Sequence, residues 1–301
     1  MSKQIGGYVI SGLALLLSVA VLSAAQDNSA WTPELIMKVK RVSNVQVSPD
    51  GSRAAYVVSS AVMEGEKSQW LSHIHVTHPD GSGSFQLTQG GKSCRSPRWS
   101  PDGRWIAFIS ARGDRPGLYR IRPVGGEAER LTDEKGGIST PAWSPDGSRI
   151  AFLMTDPKSE EEEKAEKEKR DARVVDENIK LARLYLVPVE KNTEGKRPVR
   201  KLTKGNYNVQ VGYDWSPDGM SIVYSHQPTP VMNDWPKADI SIVDITSAVE
   251  RPFLNTNRAE TSPYFSPDGR WIAYAASDDP PTWAFTSRVF VVPTGGGEPK
   301  P

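Results

Sequence analysis

Cysteine is almost absent from this sequence. Among its 301 residues only Cys94 is a cysteine, so no intramolecular disulfide can form. The fold must therefore be held by a hydrophobic core, which a hydrophobic content of 37% allows. No catalytic motif surrounds Cys94, and we interpret it as an inert thiol.

An excess of charge of either sign is missing too. Lys and Arg number 37, Asp and Glu number 36, and the formal net charge is +1. Such a balance produces no field that would attract nucleic acid or an acidic membrane. We therefore expect no nucleic-acid partner.

Motifs of catalysis and cofactor binding are also missing. The chain has no Gly-x-Ser-x-Gly nucleophile elbow, no His-Glu-x-x-His zinc motif, no phosphate-binding loop and no dinucleotide fingerprint. The glycines Gly295 to Gly297 lie at a strand-to-strand turn and not before a helix, so they form no phosphate cradle. We predict no catalytic, cofactor-binding or metal-binding residue in this chain, and no cofactor.

The N-terminal segment is typical of an exported protein. One lysine precedes an apolar run, Val9 to Leu22, which small residues follow at positions 23–25. We predict a signal peptide of residues 1–25 that is cleaved off, and hence a periplasmic or secreted protein. The alternative is an uncleaved membrane anchor, because residues 6–25 are long enough to span a bilayer.

A motif centred on Ser-Pro-Asp-Gly occurs five times. Its aspartates are 52, 44, 72 and 50 residues apart, and three of these spacings are near the length of a four-stranded propeller blade. Proline sets φ for a type I turn, and glycine accepts the left-handed conformation that ends it. The copies are VSPDGSRAAY (Val47 to Tyr56), WSPDGRWIAF (Trp99 to Phe108), WSPDGSRIAF (Trp143 to Phe152), WSPDGMSIVY (Trp215 to Tyr224) and FSPDGRWIAY (Phe265 to Tyr274).

These repeats predict an all-β fold, a β-propeller of four-stranded blades over residues 31–301. Consecutive apolar residues after each turn, such as Ile106-Ala107-Phe108, are expected of a strand covered on both faces. The long spacing contains a charged insertion, residues 156–180. We interpret it as a solvated helix of one blade, or as a partner or lid contact. Acid-before-base pairs four residues apart support the helix: Glu160/Lys164, Glu163/Lys167 and Glu166/Arg170.

Three of the four histidines are close together in the sequence. On a strand His73 and His75 share a face, so a metal ion could in principle bridge them. His78 follows in the turn, and Asp80 is the one carboxylate nearby at ligand spacing. We do not predict a metal site here.

The last repeat ends with RVFVVPTGGGEPKP (Arg288 to Pro301). The earlier segment YRIRPVGGEAERLT (Tyr119 to Thr132) has the same layout but continues through Leu-Thr into a fourth strand. We therefore expect about five blades, an incomplete ring, and a sequence that is the N-terminal part of a longer protein.

Two further segments resemble a known family. WTPELIMKVKRVSNVQVSPDGSRAAYVVS (Trp31 to Ser59) resembles the opening of propeller domains in the prolyl oligopeptidase family of serine peptidases, in its acylaminoacyl-peptidase and dipeptidyl-aminopeptidase branch. RDARVVDENIKLARLYLVPV (Arg170 to Val189) is similar to the same branch. The Ser-Pro-Asp-Gly repeats alone equally resemble TolB-like periplasmic propellers. The resemblance covers residues 31–301.

The resemblance implies a propeller that restricts the access of peptides to an active site. In that family a C-terminal α/β-hydrolase domain carries a Ser-Asp-His triad, and no residue here matches it, so this chain alone is predicted to be inactive. Its peptide partner would be reached through that missing domain. One alternative is a TolB-like periplasmic propeller that binds a protein. Another is a propeller enzyme such as a sugar lyase, for which His73 and His75 are the only hint.

Overall fold

The structure is a computed structural model that describes residues 32–301 apart from 66, 114, 171–176 and 285. The chain divides into two compact units, Met1–Val39 and Lys40–Pro301. The described part of the first holds helix α1 (Pro33–Lys38), where the Thr32 hydroxyl accepts the Leu35 N–H at 3.2 Å.

The N-terminal predictions lie outside the described residues, both the signal peptide of residues 1–25 and the alternative anchor of residues 6–25. Across the helices that the structure does describe, none has the length and apolar content needed to cross a membrane.

The second unit consists of five antiparallel sheets, which we call blades one to five in chain order. Within each blade the strands are neighbours in sequence order. Blade five has three strands and, beside the third, an isolated bridge between Val291 and Lys300. No sheet closes on itself in the described part of the chain, and the predicted propeller-like all-β fold of four-stranded blades is confirmed. The strands are β1 (Arg41–Val47), β2 (Ala54–Glu64), β3 (Lys67–Thr77) and β4 (Phe85–Gln86) in blade one; β5 (Cys94–Trp99), β6 (Ile106–Ser110), β7 (Gly117–Ile121) and β8 (Glu129–Arg130) in blade two; β9 (Ile138–Trp143), β10 (Arg149–Thr155), β11 (Ala182–Pro188) and β12 (Arg200–Lys201) in blade three; β13 (Asn208–Trp215), β14 (Ser221–Gln227), β15 (Asp239–Asp244) and β16 (Glu250–Leu254) in blade four; β17 (Glu260–Phe265), β18 (Trp271–Ser277) and β19 (Ser287–Pro293) in blade five.

Each Ser-Pro-Asp-Gly segment joins the first and second strands of a blade. In blade three the Ser144 hydroxyl donates to Asp146 at 2.5 Å, and the same carboxylate oxygen accepts the Ser148 N–H at 3.0 Å. Gly147 has a φ of +70° and donates its N–H to the Ser144 carbonyl at 2.9 Å. The other four copies repeat these bonds, so the motif is a self-contained turn.

Replacing Gly147 with alanine is expected to destabilise the protein by about 1–2 kcal/mol, because a Cβ is unfavourable in the left-handed region. Space is not the cause, since the added atom would lie 3.6 Å from the Pro101 ring of the neighbouring turn. The midpoint of denaturant unfolding measures the effect. Gly91 is a suitable control because its φ is outside this region and its Cβ position is open. Equal losses in both variants would contradict the prediction.

The blades pack face to face through their central strands. Ile150, Ala151 and Phe152 of β10 are each 0% exposed, as expected of a strand covered on both sides. Ile150 and Phe152 pack against blade two, whereas Ala151 faces the core shared with blade four. Large residues on one face and a small one on the other let neighbouring blades approach closely.

Tryptophans link the first strands of neighbouring blades. Trp99 donates its indole N–H to the Gln46 carbonyl at 2.9 Å, and Trp143 donates to the Arg98 carbonyl at 3.0 Å. Trp215 repeats the bond to the blade before it. Because these bonds join first strand to first strand, the first strands are innermost and line the axis of the blade array.

The charged insertion contains helix α2 (Glu160–Lys167), which begins with a capping box between Ser159 and Glu162. The predicted helix is confirmed. Among the described residues, however, its glutamates do not form the predicted ion pairs with bases four residues later. Instead Lys180 bonds Glu162 at 2.7 Å and Lys158 bonds Glu166 at 2.6 Å. The flanking chain folds back along this short helix, so its acids pair with lysines outside it.

Candidate functional site

The two ends of the blades differ in how well their polar groups are satisfied. One end carries the Ser-Pro-Asp-Gly turns. There, hydrogen bonds from the serine two residues earlier lower the pKa of Asp50, Asp146 and Asp268 to about 2. Because these carboxylates are hydrogen-bonded within their own turns, they stabilise the turns and are poorly placed to bind a ligand.

The opposite end, which we call the loop end, carries the longer connections between second and third strands. They comprise the insertion, residues 228–238 with a 3-10 helix (Met232–Lys237), and residues 278–286. The chain also enters each first strand at this end. Long loops on a rigid scaffold are where binding residues concentrate.

Glu260, the first residue of β17, is the most unusual group at the loop end. It is only 1% exposed, one carboxyl oxygen accepts the Thr256 hydroxyl, and the other has no hydrogen-bond partner. Burial raises the pKa of Glu260 to about 7. Blades two and three place Cys94 and Ile138 at this position, so the carboxyl occupies a site that is otherwise apolar.

A second carboxyl lies near Glu260. Asp239, the first residue of β15, accepts a hydrogen bond from the Asn255 amide at 3.3 Å, and burial raises its pKa. Its charge raises the pKa of Glu260 further, against a smaller opposing effect of Arg258. Two carboxyl groups with raised pKa values at one blade junction make this end a candidate site for binding a positive charge.

A polar cluster fills the neighbouring face of blade four. Tyr224 donates to Glu250 at 2.8 Å, and Tyr207 donates to the same carboxylate. The Tyr207 ring stacks on His226 at 4.1 Å, and the His226 ring nitrogen is 2.8 Å from the Ser241 hydroxyl. Burial lowers the pKa of His226 to about 4, so this histidine is neutral at physiological pH.

Comparison between blades explains this cluster as packing. At one register position the other blades stack two rings, such as Phe152 on Tyr185 and Tyr274 on Phe290. In blade four the partner of Tyr224 is Ser241, and Tyr207 from the preceding connection supplies the missing ring. The cluster is fully bonded and serves the core.

The histidines singled out in the sequence do not converge. His73 lies 3.4 Å from the Thr88 hydroxyl, His75 stacks on Tyr56, and His78 lies 3.2 Å from the Ser52 carbonyl. Burial lowers the pKa values of His73 and His75. Within the described residues no three His, Cys, Asp or Glu side chains come together as metal ligands. Asp80 bonds Ser82 within its own turn, and Cys94 is buried.

The axial surface is lined by bulged strands. Four of the first strands each contain one residue with a positive φ, next to a shift in the pairing register. A residue other than glycine is strained in this backbone conformation. In blade four the corresponding residue is Gly212, whose φ is outside the left-handed region and whose added Cβ would lie 3.0 Å from the Ser262 Cα. The four strained residues are Asn44, Ser96, Thr140 and Ser262, with φ of 50°, 56°, 44° and 52°. The lining is therefore rich in hydroxyl and amide groups.

The fold and these repeats define a class of protein. Residues 36–180 match the family model of the TolB beta propeller domain. This segment of the chain is therefore similar to TolB-like β-propeller domains.

Sequence relatives of this propeller include peptidases. The chain is 33% identical over 248 residues to the uncharacterized peptidase YuxL of Bacillus subtilis, which covers 82% of this chain and 31% of YuxL. It is 34% identical over 115 residues to dipeptidyl-peptidase 5 of Porphyromonas gingivalis, covering 38% of this chain and 16% of that protein. It therefore spans less than a third of the length of these two curated relatives.

A solved structure shows the same fold. The acylaminoacyl peptidase of Pyrococcus horikoshii superposes with a TM-score of 0.59 at 17% identity, over 90% of this chain and 40% of that one. The predicted resemblance to TolB-like and peptidase propellers is confirmed.

Sequence reasoning missed Glu260 and the axial surface. Alignment of the five repeats with one another contains the signal for the first, because a glutamate stands where Cys94 and Ile138 stand in other copies. No local pattern signals the axial surface, since it depends on which strands are innermost.

Proposed function

We propose that this chain is the substrate-gating propeller portion of an exported serine peptidase that acts on short peptides. The observation that carries the proposal is the similarity to the peptidase YuxL over 82% of this chain. The catalytic serine, histidine and aspartate belong to a following α/β-hydrolase domain, and the propeller contributes selection of substrates. Export follows from the signal-like residues 1–25.

The axial lining supports a role in passing peptides. Hydroxyl and amide side chains such as Asn44 and Ser262 can exchange hydrogen bonds with a peptide backbone without preference for its side chains. In this proposal the axis of the blade array admits a short peptide and excludes a folded protein. The loop end, where the carboxyl groups of Glu260 and Asp239 lie, is the end we assign to the entry of substrate or to contact with the catalytic domain.

A binding propeller is the second candidate. The match of residues 36–180 to the TolB beta propeller domain favours it, because TolB proteins are also among the chain's relatives. In this case the loop end would bind a partner protein at the cell envelope.

The intact mass of the protein from its own cell separates the two candidates. An antibody against residues 40–301 would isolate it, and a fluorophosphonate probe would label any active serine. We expect a chain much heavier than 33.1 kDa that takes up the probe. An unlabelled chain of 33.1 kDa or less would contradict the peptidase proposal and favour the binding propeller.

A further inference from the structure

Charged side chains are rare on the axial strands. Among the described residues, the five first strands contain only five charged side chains. Two of these already interact with a neighbouring group, and a third is buried. Arg41 lies over the Trp70 ring at 4.6 Å, Asp214 accepts the Phe265 N–H at 2.9 Å, and Glu260 is buried. The remaining two are Arg95 and Arg98, both on β5.

A bulge brings these two arginines to the same face of blade two. Arg95 pairs with Ile109 and Arg98 with Ala107, two positions apart on β6, with a register shift between them. Residues two apart on a strand share a face, so their partners do as well. Ala107 and Ile109 pack toward blade three, and hence both arginines lie on the side that faces blade three.

Neither arginine has an acidic partner. Arg95 is exposed, and Arg98 donates one N–H to the Pro97 carbonyl at 2.9 Å. In the described parts of the chain no carboxylate forms an ion pair with either of them. By contrast Arg120, on the next strand but one, pairs with Glu129 at 2.7 Å and with Glu190 at 2.9 Å. Two guanidinium groups without counter-ions leave most of their donors available.

The neighbouring first strand adds a further unsatisfied group. Thr140 on β9 holds the position that Ser96 holds on β5, and both have a left-handed backbone. The Thr140 hydroxyl oxygen is buried and has no hydrogen-bond partner. Thr140 thus adds a hydroxyl without a partner on the first strand next to the one that carries the two arginines, and hydroxyl and guanidinium donors both suit a carboxylate.

We propose that Arg95 and Arg98 bind the carboxylate at the C-terminus of a peptide, at the axial edge between blades two and three. A guanidinium group forms two parallel hydrogen bonds with a carboxylate, which gives orientation as well as affinity. This inference rests on the proposed function in taking the ligand to be a peptide. It adds that the propeller would hold a substrate by its C-terminal end.

Calorimetric titration of the full chain with two forms of one peptide tests the inference. The probe is Ala-Ala-Ala-Phe as the free acid and as its C-terminal amide. We expect the wild type to bind the acid about tenfold more tightly than the amide, and Arg95→Gln to abolish this preference. Arg95→Lys should retain part of it, because the charge remains and the planar fork is lost.

Arg251→Gln is the matched control, since Arg251 is an exposed arginine on the outermost strand β16. It should keep the preference for the acid. Equal binding of acid and amide by the wild type, an unchanged preference in both Arg95→Gln and Arg98→Gln, or binding of neither peptide would overturn the inference. The intact mass and probe labelling do not depend on this site, so the peptidase proposal can stand or fall separately.

Discussion

Replacing Glu260 with glutamine is expected to stabilise the protein at pH 8 and to leave its stability nearly unchanged at pH 4. Glutamine has the shape of the protonated carboxyl and cannot ionise. The wild type must bury a charge above neutral pH, with one carboxyl oxygen unbonded. The variant avoids this cost.

The pH window follows from the two protonation states. The pKa of Glu260 rises from 4.5 to about 7 on folding. The folded carboxyl therefore keeps its proton between these values while the unfolded one releases it, and wild-type stability falls as pH rises through the window. Below pH 4.5 the contribution is fully present, and above pH 7 it is lost. The difference between variant and wild type at pH 8 is expected to reach about 3 kcal/mol.

Thermal unfolding followed by circular dichroism at both pH values measures the effect. Glu298→Gln is the control, because Glu298 is exposed and should change stability by less than about 0.5 kcal/mol at either pH. The groups that act on Glu260, Asp239 and Arg258, stay in place in the variant. A Glu260→Gln variant that gains no stability at pH 8 would show that the carboxyl is solvated or bonded in solution.

A gain of this size has a functional meaning. Groups that destabilise a fold concentrate at functional sites, where the cost can be part of the mechanism. Glu260 lies at the loop end, where the proposed function puts the entry of substrate. If the complete enzyme carrying Glu260→Gln is more stable but turns over peptides more slowly, this would support the assignment of the loop end to substrate entry.

Most of the fold could be predicted from the sequence because its signals are local. The bonds that shape each Ser-Pro-Asp-Gly turn join residues no more than five apart, such as Ser144 and Arg149. A turn of this kind forms wherever its residues occur. The third strands of blades two and three, Gly117–Ile121 and Ala182–Pro188, likewise end close to a proline, and in blade two a turn at Pro123 follows at once.

The candidate sites could not be predicted in the same way because they depend on non-local packing. Glu260 is buried because blade four covers the start of β17, where its N–H donates to the Ala238 carbonyl at 2.7 Å. Arg95 and Arg98 are three apart, and an ideal strand would put them on opposite faces. The register shift that reverses this is visible only once β6 is paired with β5.

Replacing Trp143 with alanine is expected to cause the largest loss of stability, about 3–5 kcal/mol. Trp143 is 9% exposed, packs in the core between blades two and three, and donates its indole N–H to the Arg98 carbonyl. The variant loses the buried ring and leaves a cavity at the innermost contact of two blades. The melting temperature should fall by about 10 °C.

Two further variants separate the ring from its hydrogen bond. Trp143→Phe keeps an aromatic ring but leaves the Arg98 carbonyl without its donor, and should lose about 1–2 kcal/mol. Trp70→Phe, at an exposed position on β3, should be nearly neutral. Blade five shows how the chain itself compensates, because Phe265 stands at the tryptophan position and its backbone N–H bonds Asp214 instead. If Trp143→Phe is as unstable as Trp143→Ala, the hydrogen bond to the Arg98 carbonyl governs the contact between the blades. If Trp143→Phe is as stable as the wild type, packing of the aromatic ring alone holds the first strands together, and the indole N–H contributes nothing.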